Sequence, residues 1–205
     1  MKCLAIIGAS GHGNVVAETA ALQGWEKIHF YDRKWPEMTK LGQWQVVGSD
    51  LDFFNRKSEY TGIFLAIGDN ISRVKFSEKL DPVSSLIVIK HPVSTISPSV
   101  SILAGVVVMA GAIINANCVI NEGVIVNTSC TIDHDCLIGA YSHISPGANI
   151  AGGVEVGEQS WVGIGAVVKQ GIKIGKGAIV GAGAVVVSDV EANTTVLGIP
   201  AKVRK

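Results

Sequence analysis

The sequence predicts two architectures in tandem, a small α/β domain built on a parallel sheet and then a parallel β-solenoid. Three observations predict this. Short apolar runs alternate with helix-forming segments over about the first 90 residues, the pattern of strands joined by crossover helices. A glycine-rich turn, Gly8-Ala9-Ser10-Gly11-His12-Gly13, follows the first apolar run. From residue 96 an aliphatic side chain returns every six positions without interruption.

In chain order, residues 2–9 read as the first strand and 14–23 as the helix after the glycine turn. Residues 27–32 form a second strand, ending in Asp32. Residues 45–48, 63–68 and 86–90 are further strands, with helices over 51–56 and 71–80 between them. A glycine turn at a strand end lets the backbone approach a phosphate, and the helix start adds free N–H groups and the positive end of a dipole. The glycine order is GxxGxG rather than the dinucleotide GxGxxG, and the domain is half a full dinucleotide fold, so a mononucleotide fits better than NAD. On its residues alone the same loop also serves as a tight packing turn. His12 suits either a phosphate contact or a helix cap, and His29 and His91 suit strand ends.

The repeat runs Ile96, Ile102, Val108 and onward to Val186, and every one of its sixteen members is Ile or Val. The fourth position after each member is small or apolar, as at Ala112, Cys118, Cys130 and Ala148. A period of six contradicts a helix, whose faces return at about 3.6 residues. It suits short β-branched strands joined by turns of Gly, Asn and Asp.

Composition closes off several functions. The 205 residues carry no formal net charge and no basic run, so there is no electrostatic footprint for nucleic acid. With 48% apolar and 17% charged residues the chain can bury a core. The longest apolar stretch, 102–114, is too short to span a membrane and contains glycines, and the glycines after residue 7 interrupt any export signal. A cytoplasmic location follows. None of Cys3, Cys118, Cys130 and Cys136 lies in a CxxC pair, which argues against a zinc site or a disulfide framework.

Four segments together resemble the PglD/NeuD family of sugar acetyltransferases: GASGHG at 8–13, AIGDN at 66–70, NTSCTIDHDC at 127–136 and GIPA at 198–201. The resemblance spans nearly the whole chain. It implies a small Rossmann-like domain, residues 1–92, and a left-handed parallel β-helix of three hexads per coil, residues 93–205. It implies acetyl transfer from acetyl-CoA, without a metal, to the 4-amino group of a nucleotide-linked 4-amino-4,6-dideoxy sugar in surface-glycan biosynthesis. Sialic acid O-acetylation is the alternative. By position, His134 is implied as general base with Asp135 as its acidic neighbour. Ser10, Gly11, His12 and Gly13 are implied to hold the sugar nucleotide's phosphates, and Asp32 and Arg33 to meet its nucleoside. Gly68, Asn70 and Arg73 lie on the facing loop, and His143, Gly152, Ile164 and Ala182 fall where acetyl-CoA binds. Arg33 and Asp69 depart from residues some relatives carry, which leaves the nucleoside open. The family's assembly implies a homotrimer with CoA between neighbouring β-helices, so that two subunits build each site.

The chemistry fits these residue types. An amine must lose a proton to attack a thioester, and histidine ionises near neutrality. Either Asp133 or Asp135 could hold the tautomer of His134, which on its own also reads as a solvated turn residue. His143 reads equally as a surface histidine. With eighteen residues to a coil, Gly152 stacks on His134, where it would leave room for the thioester and turn its N–H to the oxyanion. Pro146, Ile164 and Ala182 then form one column, a wall for the pantetheine arm, and Cys118 and Cys136 stack as buried thiols. A γ-type carbonic anhydrase would need three convergent histidines, and the repeats contain only His134 and His143. A non-catalytic solenoid would leave the His134 cluster and the front domain without purpose.

Overall fold

The computed structural model describes residues 2–80 and 86–204 and separates into two compact units, Met1–Pro92 and Val93–Lys205. In the first unit β1 (Cys3–Ile7), α1 (Gly11–Leu22), β2 (Lys27–Tyr31), β3 (Lys40–Leu41), β4 (Trp44–Gly48), α2 (Asp50–Arg56), β5 (Gly62–Leu65) and α3 (Asn70–Ser77) follow in order. The sheet order is β3-β4-β2-β1-β5, parallel throughout except for the β3–β4 pair. Strand β1 lies inside the sheet between β2 and β5, and Leu4 to Ile7 are at most 1% exposed, which explains an unbroken apolar run instead of alternation. With β2 on one flank of β1 and β5 on the other, the loops after β1 and β5 part at the carboxyl edge and leave a crevice there.

The structure corrects several of the expected boundaries and adds a strand, β3, that was not expected. Helix α1 begins at Gly11 and not at residue 14, because the Ser10 hydroxyl caps it by accepting the Gly13 N–H at 3.3 Å. The glycines thus belong to the first helical turn, and a Cβ on Gly13 would strike the carbonyl oxygen of Gly8. Strand β3 pairs over two residues and is too short to leave a periodic signal. The strand expected over 86–90 shrinks to one bridge from Leu86 to Ile63 and a two-residue strand, Ile89–Lys90.

The second unit is a left-handed parallel β-helix. Two-residue strands recur every six positions from Thr95–Ile96 to Val185–Val186, and they pair eighteen residues apart, as in Ile114↔Ile132↔Ile150. Each coil therefore contributes one rung to each of three sheets. Side chains of the aliphatic series from Ile114 to Val186 point inward and are at most 2% exposed. Every sixth residue from Gly105 to Gly183 has φ between +54° and +71°, and most are glycine, which holds that conformation without strain. Asn117 and Asp135 are two of the exceptions. Cys118 and Cys136 are free buried thiols whose Sγ atoms donate to the carbonyls of Asp133 at 2.8 Å and Ala151 at 3.2 Å. Burial pushes the Cys136 thiol up to about 11, so it stays protonated.

Candidate active site

The turn at 133–136 closes one corner of the prism. Asp135 occupies the left-handed position at φ +59°, which carries its carboxylate back toward its neighbour. Its Oδ2 lies 2.7 Å from His134 Nδ1. A carboxylate only accepts, so Nδ1 carries the proton, and the neutral ring keeps its lone pair on Nε2. Asp133 does a different job: its Oδ1 accepts the backbone N–H of His134 at 2.9 Å. The choice left open by the sequence thus falls to Asp135 for the ring and to Asp133 for the main chain. Both carboxylates are tied to the coil beneath, Asp133 by Asn115 Nδ2 at 2.9 Å and Asp135 by Asn117 Nδ2 at 3.0 Å. The hydrogen bond that His134 donates to Asp135, and then the charge of Asp133, raise the His134 pKa above its ordinary value.

Gly152 stacks above His134 as the coil length requires, but the expected room for a thioester is not there. A Cβ at 152 would lie 2.6 Å from both Cε1 and Nε2 of the imidazole, so the ring itself fills the space that the missing side chain leaves. The glycine seats the base, and the face beyond it is where a reactant must come. The N–H of His134 is taken by Asp133, whereas residue 151 is alanine and gives Gly152 no such acceptor.

A second cleft, of about 510 Å³, lies one corner away on the same unit. Pro146, Ile164 and Ala182 share it, stacked by the bonds from Gly165 N to Pro146 O at 3.0 Å and from Gly183 N to Ile164 O at 2.8 Å. His143 is 8% exposed, which corrects its reading as a surface histidine. Its Nε2 lies 3.0 Å from Asn127 Nδ2, whose amide is oriented by Thr128 N donating to Asn127 Oδ1 at 2.8 Å. The ring packs against Trp161 with centroids 4.9 Å apart, and Trp161 Nε1 donates to Ser145 Oγ at 2.7 Å. Sequence reasoning missed Trp161. It lies eighteen residues beyond His143, and that offset was the available signal.

The crevice of the first unit encloses about 400 Å³ between the loops after β1 and β5. The two loops start side by side before they part: a Cβ on Gly8 would come within 2.9 Å of the Ala66 carbonyl oxygen. Ser10, Asp32, Arg33 and Gly68 line the crevice, and Gly11 beside it has no atom within 4 Å of where its Cβ would be. Asp50, Lys75 and Lys79 line it too and were not singled out. Lys75 lies in the last turn of α3 and Lys79 just beyond its end, and both reach the crevice. Burial, and then the charge of Asp32, push the Asp50 carboxyl up.

Three of the expected ligand contacts serve the fold here. Asp32 accepts the N–H groups of Ala9 at 2.7 Å and Lys34 at 2.9 Å, so it ties the glycine loop to the end of β2. Arg73 is 1% exposed and donates to Ile67 O at 2.7 Å and Asn70 Oδ1 at 2.9 Å. Both Asn70, itself 5% exposed, and Arg73 brace the loop from behind and do not face the crevice. His12 is not the cap. Burial, with Arg73 adding to it, lowers its pKa to about 4, so it is a neutral ring.

Among the described residues no group of three or more His, Cys, Asp and Glu side chains is placed to hold a metal ion, and no helix is long and apolar enough to cross a membrane.

The family model described as the PglD N-terminal domain matches residues 3–80, and the one described as bacterial transferase hexapeptide (six repeats) matches 153–188. Among solved structures, the acetyltransferase domain of PglB from Neisseria gonorrhoeae FA1090 in complex with acetyl coenzyme A is 42% identical, with 99% of each chain covered and a TM-score of 0.94. PerB from Caulobacter crescentus, in complex with CoA and GDP-perosamine, is 38% identical over 100% of this chain and 98% of that one, with a TM-score of 0.93. WeeI from Acinetobacter baumannii AYE is 30% identical over 100% of both chains, with a TM-score of 0.92. With both units matched and identity sustained from end to end, the chain belongs to the PglD-like sugar acetyltransferases of the hexapeptide-repeat class.

Proposed function

We propose that the protein transfers acetyl from acetyl-CoA to the 4-amino group of a nucleotide-linked 4-amino-4,6-dideoxy sugar, for bacterial surface-glycan synthesis in the cytoplasm. The observation that carries this reading is the His134–Asp135 pair, with Nδ1 committed to the carboxylate and Nε2 left as the base. His134 takes a proton from the acceptor amine as its nitrogen attacks the thioester carbonyl. The N–H of Gly152 is the donor for the oxyanion, a contribution of about 3 kcal/mol where such a donor is pre-placed. The tetrahedral intermediate then expels the CoA thiolate, and the imidazolium returns the proton to sulfur.

The substrate class follows from charge. Asp133 and Asp135 flank the base, and their pKa values are held low by hydrogen bonds, from His134 and Asn117 on Asp135 and from Asn115 on Asp133. Two carboxylates favour an approaching ammonium and repel the carboxylate of sialic acid. Arg33, Lys75 and Lys79 around the front crevice suit a diphosphate, which free sialic acid lacks. PerB was crystallised with a sugar of this kind, GDP-perosamine, and PglB with acetyl coenzyme A.

Pro146, Ile164, Ala182 and Trp161 are proposed as the wall for CoA, and the assembly as a homotrimer in which that wall faces the His134 corner of a neighbour. The direct test is acetyl-CoA consumption against UDP-, dTDP- and GDP-linked 4-amino-4,6-dideoxy sugars, with free sialic acid as control. Turnover of one sugar nucleotide and none of sialic acid supports the reading, and turnover of sialic acid alone replaces it with O-acetylation.

A further inference from the structure

We infer that Asn117 is a positioning residue for proton transfer, acting from the coil beneath through Asp135. The inference rests on the reading of His134 as the base. Asn117 Nδ2 donates to Asp135 Oδ1 at 3.0 Å, and the other oxygen of that carboxylate meets His134 Nδ1 at 2.7 Å. The carboxylate is exposed, and rotation about its last bond meets only a broad, shallow barrier. Fixing one oxygen from below is what aims the other at the imidazole.

Asn117 is itself held, since its backbone N–H donates to Ser99 Oγ at 3.0 Å. Residues 99, 117 and 135 are eighteen apart, so a polar column climbs one edge of the prism, one residue per coil, and ends at the histidine. A parallel column joins Asn115 to Asp133, but that carboxylate serves the backbone N–H of His134 and not its ring. Of the two amides, only Asn117 reaches the ring's partner.

The residue type matters as well as the position. The groups around His134 are Asp133 and Asp135 on its own turn, Asn115 and Asn117 from the coil below, and Gly152 from the coil above. Only the two carboxylates are charged. An amide satisfies Asp135 and leaves its full charge to act on the imidazolium, whereas a cation at 117 would draw that charge away.

Asn117→Gly is the informative variant. The residue sits at φ +61°, which glycine adopts without strain, so the side chain is removed while the turn is kept. We expect kcat of the full-length enzyme at pH 7 to fall about tenfold, the scale of one exposed hydrogen bond to a charged group. KM for sugar nucleotide and acetyl-CoA should not change. The acid limb of the kcat–pH profile should move to lower pH, because a looser Asp135 supports the imidazolium less. Asn117→Asp, which puts a further carboxylate under Asp135, should move the limb to higher pH. A merely structural role would shift neither limb. If Asp135→Asn moves the limb and neither Asn117 variant does, the inference about Asn117 is overturned while the base assignment stands. If Asp135→Asn leaves it in place as well, Asp135 does not couple to the ring and the inference falls with that coupling, while the base assignment is decided separately by the activity of His134→Ala.

Discussion

His134 stands exposed on a turn, and its raised basicity comes from the two carboxylates on either side. Replacing it with alanine removes the proton acceptor without touching a core contact. Turnover should then fall by about 10²–10⁴-fold. Sugar-nucleotide affinity and melting temperature should hold, and retention of most activity in a steady-state assay would dismiss the base assignment. Asp135→Asn acts differently. The acting form is neutral imidazole, so kcat falls as pH drops through the His134 pKa, and Asp135 holds that pKa above the ordinary histidine value. Losing the carboxylate must lower it, so the acid limb moves to lower pH while the plateau drops through weaker basicity. An unmoved limb would mean that Asp135 does not couple to the ring. At this scale the sequence was informative wherever partners are neighbours in the chain, as 134 and 135 are. Asn115, Asn117 and Trp161 join their partners across sixteen to eighteen residues, as hydrogen-bonded in the structure, and they emerge only when the coil length is applied to each functional residue in turn.

Among elements, the hexad was the most legible, because two side chains in six, the aliphatic one and the small one four positions on, must point inward and nothing polar can stand there unpaired. The glycine loop was legible as a turn but not as a helix start, since the cap depends on the Ser10 hydroxyl reaching Gly13. Arg73 shows a limit of motif transfer: a basic residue near a phosphate loop looks like a ligand contact until its guanidinium is found buried against Ile67 O. Two glycines test these elements in opposite ways. At Gly152 the nearest atoms that an added methyl would meet all belong to the movable ring of His134. Gly152→Ala should therefore leave the melting temperature nearly unchanged but displace the base, and a shift of about 1 Å is enough to lower kcat by about 100-fold. At Gly13 the methyl meets the Gly8 carbonyl, which cannot swing aside. Gly13→Ala should destabilise the first unit by about 2 kcal/mol, as overpacking does, and weaken sugar-nucleotide binding in calorimetry. A stable Gly13→Ala protein with unchanged affinity would show that the close approach of α1 to the loop is dispensable.

For the whole molecule, the arrangement of corners bears on assembly. His134 and the 146/164/182 column lie twelve residues apart in the repeat, two hexads of an eighteen-residue coil, and so on different edges of the prism. If one CoA molecule contacts both, the simplest geometry brings the His134 edge of one chain to the cleft of the next, and rotational closure of that heterologous contact gives a ring. Two variants turn this into a yes-or-no measurement. His134→Ala removes the base, and Ala182→Trp fills the proposed pantetheine wall at an exposed residue. Each alone should be inactive. Unfolded together and refolded as a 1:1 mixture, a shared-site ring places an intact base beside an intact cleft in about a quarter of the interfaces, since each half is intact with even odds. Activity should return to about that fraction of the parent. Were base and cleft drawn from the same chain, no mixed assembly would hold a complete site and the mixture would stay inactive. Sedimentation of the mixture, run alongside, separates that outcome from simple failure to reassemble.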